Sequence, residues 1–149
     1  MADFELDILI NAPLETVWQS WDRFGDIAKF SKGLRASALL AGSPATGQGA
    51  KRRCDLKNGK SYLLEEIRAY TPMERMDIAV FESNLPVKTA LLQLRFSAPT
   101  VSTTRITAAM TFTLKYGLLG RLMKIPARKE FRGDITRLLA ANKAYTEAA

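Results

Sequence analysis

Apolar and polar residues alternate with a period of two over most of the chain, then shift to spacings of three and four near its end. Phe4, Leu6, Ile8 and Ile10 alternate with Glu5, Asp7, Leu9 and Asn11, which predicts a half-buried first strand. Pro13 suits the first turn of a short helix, with Asn11 or Ala12 as its cap and Val17, Trp18 and Trp21 as its apolar side. Gly25 is its expected stop, close to Asp22. Asp26 is then the expected cap of a second short helix, Ile27 to Phe30. Further strands are predicted over Leu34–Leu40, Ala50–Leu56, Ser61–Tyr70, Arg75–Glu82, Lys88–Ala98 and Thr104–Tyr116. The last has the cleanest alternation, with Ile106, Ala108, Met110, Phe112 and Leu114 opposite a threonine-rich face. Asn58-Gly59 predicts a type I′ hairpin, because both residues tolerate positive φ. Leu85 and Val87 sit in a turn and are expected to be exposed.

From Gly117 to Ala149 the pattern is helical. Leu118, Leu119, Leu122, Met123, Phe131, Ile135, Leu138, Leu139 and Tyr145 recur mostly three or four apart, with basic residues between them. At 1.5 Å per residue such a helix runs roughly 40 Å and needs a large surface to lie on. Pro126 lies inside the pattern, so a kink or a restart is expected there. Beyond it, Phe131, Ile135, Leu138 and Leu139 read as the grip on a sheet. Before it, Leu118 to Ile125 reads as a flap near a cavity mouth. A run of strands followed by one long helix is an α+β order. The expected architecture is a curved antiparallel sheet of about seven strands wrapped around the C-terminal helix, with two short helices after strand one. One domain is expected to span residues 1–149.

Composition narrows the chemistry. With 47% apolar residues the chain can bury a core, and no apolar run is long enough to span a membrane. The opening MADFELDILI is acidic where a signal peptide is basic, so a cytoplasmic protein is expected. A lone cysteine, Cys54, fits a reducing compartment and reads as a small buried hydrophobe. There is no histidine, which removes the commonest general base and metal ligand; no metal or other cofactor is expected. The net charge of +7 suits either a solvated basic surface or a polyanion. No phosphate-binding loop, zinc finger or aromatic RNA-binding signature accompanies it, so no nucleic-acid partner is expected.

Three passages together resemble the helix-grip fold of the START-like superfamily, also described as SRPBCC or polyketide cyclase/dehydrase-like. They are Ile8 to Phe30 with its Ala-Pro turn and Val-Trp helix, Glu65 to Met76 with its Pro72 and Arg75, and Tyr116 to Leu122 leading into a basic helix. The resemblance spans nearly the whole chain. It implies a cavity between sheet and helix, and members that range from lipid carriers and quinone-binding proteins to cyclases and co-chaperones.

The residues expected to face that cavity are Trp21, Phe24, Phe30, Arg52, Cys54, Glu65, Ile78, Val80, Leu94, Phe96, Met110, Phe112, Met123, Phe131 and Ile135. Glu65 is the one candidate catalytic group. Facing a partly dry cavity it is placed for acid–base work; beside Arg52 it is a paired structural charge. Arg121, Lys124, Arg128 and Arg132 form a ridge that is either solvated or a weak contact with an anionic membrane. Three functions remain open: a carrier of a lipid, quinone, polyketide or aromatic; a metal-free cyclase or dehydratase working by acid–base catalysis; or a protein-binding module. A monomer or a homodimer is compatible with each.

Overall fold

The structure is a computed structural model that describes all residues from Met1 to Ala149. The elements follow in the order β1 (Phe4–Ile10), α1 (Leu14–Asp22), a 3-10 segment (Phe24–Lys29), β2 (Leu34–Leu39), β3 (Lys51–Leu56), β4 (Tyr62–Thr71), β5 (Arg75–Ser83), β6 (Val87–Thr100), β7 (Thr103–Leu114), α2 (Gly117–Leu122) and α3 (Lys124–Glu147). The strands form one seven-stranded antiparallel sheet in the order β1-β7-β6-β5-β4-β3-β2. This is the helix-grip arrangement, with the sheet curved around α3. Irregular register in β2, β4 and β6 supplies bends, since each bulge kinks its strand and adds twist.

The inner face of the sheet is written in its cross-strand rows. One row runs Ile67–Ile78–Leu92–Met110–Phe4 and a neighbouring one Arg52–Glu65–Val80–Ala90–Phe112. Further along the sheet lie Met76–Leu94–Ala108 and then Phe96–Ile106. Trp18 of α1 stands edge-on against Phe96 at 5.0 Å and closes that end. The helices are locked together by a buried polar pair, in which Asn142 Nδ2 donates to Ser20 Oγ at 2.8 Å. Helical spacing of apolar residues gives no hint of Asn142, which is fully buried.

Local chemistry departs from expectation in several places. The Asn58-Gly59 pair does not make a type I′ turn, because only Gly59 has positive φ, at 75°. Instead the Gly59 N–H closes a turn on the Leu56 carbonyl, and Asn58 Oδ1 accepts from the Lys60 and Ser61 N–H groups. Asp26 makes no side-chain cap and pairs with Lys29 at 3.3 Å. Asp22 ends α1, yet its carboxylate accepts from Thr46 and Tyr70 and so ties the Ala41–Gly49 loop to β4.

The C-terminal arm restarts before Pro126. Its last α2 residue, Leu122, is four positions ahead of Pro126. A continuing helix would ask Pro126 for a donor it lacks and press its ring on the Leu122 carbonyl. The chain breaks at Met123, and Pro126 falls in the first turn of α3, where an N–H is not needed. No helix is long and apolar enough to cross a membrane.

Candidate functional site

Between the sheet and α3 lies a cavity of about 720 Å³. Its floor is the open half of the inner face, with Ile78 and Val80 from β5, Ala90 and Leu92 from β6 and Met110 from β7. Its roof is Phe131, Ile135, Leu138 and Ala141 of α3. These roof residues sit at consecutive helical turns, so one face of α3 looks inward. The space stays open because the pieces are small, with Ala90 below and Ala140, Ala141 and Ala144 above.

One pole of the cavity is polar. Arg52 is only 2% exposed although it carries a charge. Its Nε donates to Glu65 Oε1 at 2.8 Å, its Nη1 donates to the Phe24 carbonyl at 3.0 Å, and its guanidinium lies 3.9 Å over the Phe24 ring. Cross-strand pairing of β3 and β4 sets Arg52 directly opposite Glu65. The Cys54 thiol donates to the same Oε1 at 3.4 Å. Burial, with the Glu65 carboxylate beside it, pushes the Cys54 thiol far above its ordinary value, so it stays protonated. No protein donor reaches Glu65 Oε2. Trp21, which also belongs to the lining and is 2% exposed, keeps its indole N–H buried without an acceptor. The pole therefore holds an unused acceptor on a cavity-lining residue, able to orient a bound molecule.

Of the residues expected at the site, Trp21, Arg52, Cys54, Glu65, Ile78, Val80, Met110, Phe131 and Ile135 line the cavity. The others sit elsewhere. Phe24 is buried beneath the Arg52 guanidinium, and Phe30 packs between Trp21 and Tyr145. Leu94 and Phe96 lie at the closed end of the sheet, in the rows beneath α1. Phe112 is capped by Phe131, ring centroids 4.7 Å apart, which shields it. Met123 is 52% exposed at the helix break, away from the cavity. Sequence reading missed Ser31 to Leu34, Leu63 and the α3 alanines, which carry no chemical signal of their own. It also expected Leu85 and Val87 to face solvent. Val87 is buried, Leu85 half-buried, and both line the cavity.

The exposed members of the lining are Lys32 and Gly33 on one side and Asp134, Arg137, Ala140 and Ala144 on the other. The mouth thus lies between the segment after the 3-10 turn and the middle of α3. The expected gate at Leu118 to Ile125 is not at the cavity, since no residue of α2 or of the first turn of α3 lines it. The basic ridge is also uneven. Lys124 donates to the Phe112 carbonyl and pairs with Asp3 at 3.3 Å, and Arg128 stands 3.9 Å from the same carboxylate. Burial pushes the Asp3 carboxyl up, but the Phe112 N–H, Lys124 and Arg128 outweigh it and hold the group below its usual range. Arg132 lies 6.0 Å from the centre of the Phe4 ring, while Arg121 makes no ion pair.

The whole-chain pattern matches one family model, described as polyketide cyclase/dehydrase and lipid transport, over residues 1–147. The chain belongs to that family. Solved structures of the same fold include a START superfamily protein from Mycobacterium smegmatis (12% identity, 97% of each chain covered, TM-score 0.79). XoxI from Bacillus cereus is similar at 18% identity, covering 98% of this chain and 96% of its own, with a TM-score of 0.78. Ara h 8.0201 is similar at 17% identity, covering 98% and 97%, with a TM-score of 0.69. At these identities the likeness speaks for the fold alone. No curated protein sequence matches the chain.

Proposed function

We propose that this family member binds and carries a small hydrophobic molecule, such as a lipid, quinone, polyketide or aromatic, in the cavity between sheet and α3. The observation behind this is a cavity of about 720 Å³ whose walls are mostly aliphatic, with the buried Arg52–Glu65 pair on its inside and other charged side chains at its mouth. A molecule with an apolar body and one hydrogen-bonding end suits it. A hydroxyl on that end would donate to Glu65 Oε2. The single cysteine supports a reducing, cytoplasmic site of action. Native mass spectrometry of the purified protein, with displacement of a fluorescent apolar probe, tests the reading. Co-purified small molecules or stoichiometric probe binding at the cavity are expected. A protein that retains nothing and whose probe binding ignores Ala90→Phe would sink it.

A cyclase- or dehydratase-type enzyme is the second reading, and Glu65 Oε2 is the observation that favours it, as a carboxylate oxygen of a cavity-lining residue that no protein donor takes. Glu65→Gln separates the two. Binding would survive in both, and only an enzyme would lose turnover of a polyketide-like substrate.

A further inference from the structure

We propose that α2 and the start of α3 form a docking surface for an anionic lipid bilayer. Tyr116, Leu118, Leu119, Leu122, Met123 and Ile125 are between 52% and 74% exposed, within ten consecutive residues. Most other exposed large apolar residues, such as Leu9, Leu39 and Phe81, are scattered singly and less exposed. A contiguous patch of this kind marks an interaction surface. The exposure is built in. The buried residue of α2 is Gly120, and a Cβ added there would run into the Lys115 carbonyl and the Leu114 side chain. This helix therefore presses its glycine against the end of β7 and turns its leucines outward, the reverse of a helix packed on a core.

Charge decides what covers the patch. Residues 115–132 hold six basic side chains and one acidic one, Glu130. Lys124 and Arg128 are partly engaged by Asp3, but Arg121 and Lys129 are exposed without an ion pair, and Arg132 is exposed over Phe4. A second copy related by a two-fold axis would set these like charges face to face. An anionic membrane complements them, while the leucines enter the boundary between head groups and acyl chains. Tyr116 adds an amphipathic ring, a side chain favoured at that depth. This inference stands apart from the cavity reading, because none of the patch residues lines the cavity.

Flotation of the full-length protein with vesicles tests it, using pure phosphatidylcholine and a 7:3 mixture with phosphatidylserine. We expect at least tenfold more binding to the anionic vesicles in low salt, and a steep fall as salt screens the cations. The double variant Leu118→Ser/Leu122→Ser should lose binding about tenfold. The double variant Arg121→Glu/Lys129→Glu should lose the preference for anionic vesicles. Leu9→Ser, on an exposed residue of β1, should bind like the parent. Equal binding to both vesicle types, or unchanged binding by the leucine variant, overturns the proposal. So does a dimer, seen by light scattering, that the leucine variant dissolves, because the patch then belongs to a second copy.

Discussion

The two halves of the sheet's inner face have the same alternation and different fates. Towards α1, Met76, Leu94, Phe96 and Ile106 are sealed beneath Trp18 and its neighbours. Towards the middle of α3, Ile78, Val80, Ala90 and Leu92 floor an open cavity. Backbone, period and apolar character do not distinguish them. The difference lies in what covers them: Trp18 packs directly on one half, while the face of α3 with Phe131, Ile135, Leu138 and its alanines leaves space over the other. A ligand cavity is thus a local deficit of volume in an otherwise ordinary core.

The most disruptive way to probe that contrast is truncation. Leu94→Ala, at a fully buried position, should cost about 2–5 kcal/mol in urea denaturation. Leu92→Ala, two residues away, should cost visibly less, because it borders space that is already empty. Equal costs would mean that the open half is as tightly packed as the closed one. Arg52→Ala should come next, at about 3 kcal/mol, since it strands a charge at Glu65 and an acceptor at the Phe24 carbonyl. The double change Arg52→Met/Glu65→Met should recover much of that loss.

The outer face responds to acid instead. Burial pushes the Asp77 carboxyl up, but hydrogen bonds from Arg75, Arg95 and Gln93 prevail and hold it below its usual 3.8. Its stabilising contribution is therefore present above that value and is lost as pH falls through the lower folded-state value. The stability gap between the parent and Asp77→Asn should be full at pH 7 and shrink below about pH 4. A gap that is constant with pH would place the Asp77 contribution outside its charge.

Filling the cavity should disturb stability less. Ala90→Phe should change the unfolding free energy by less than about 1 kcal/mol, while abolishing binding of an apolar probe, because it adds bulk where there is room. The smallest effect is expected for Pro126→Ala. Within a first helical turn the change should move stability by under about 1 kcal/mol. It should add helical circular dichroism if the proline alone keeps α2 and α3 apart, and add none if the bend at Met123 is held by packing.

Much of the fold was legible because its signals are periodic. The alternation in Thr104 to Tyr116 located β7 to within two residues at its C-terminal end, and Pro126 marked the helix restart to within one turn. Strand phase put Arg52 with Cys54 and Glu65 on the apolar side of its strand, but left open whether Glu65 pairs with Arg52 or faces the cavity alone; the β3–β4 register decides for the pair. The cavity boundary did not, since Leu94 and Leu92 share a phase and differ only in what a distant segment lays over them. The entrance was misplaced for a related reason. Leu118 to Ile125 looks like the apolar grip further along, and only the packing of Gly120 against the end of β7 shows that the leucines are left uncovered.

The solitary cysteine has a practical consequence. Its proton is held by burial and by the carboxylate beside it, so the reactive thiolate is scarce while the sheet is closed. Alkylation of the native protein should therefore wait for the strands to part and then proceed at one atom only. The chain carries its own stopwatch for breathing at the polar pole. A molecule that settles against Glu65 should slow that clock in proportion to how long it stays.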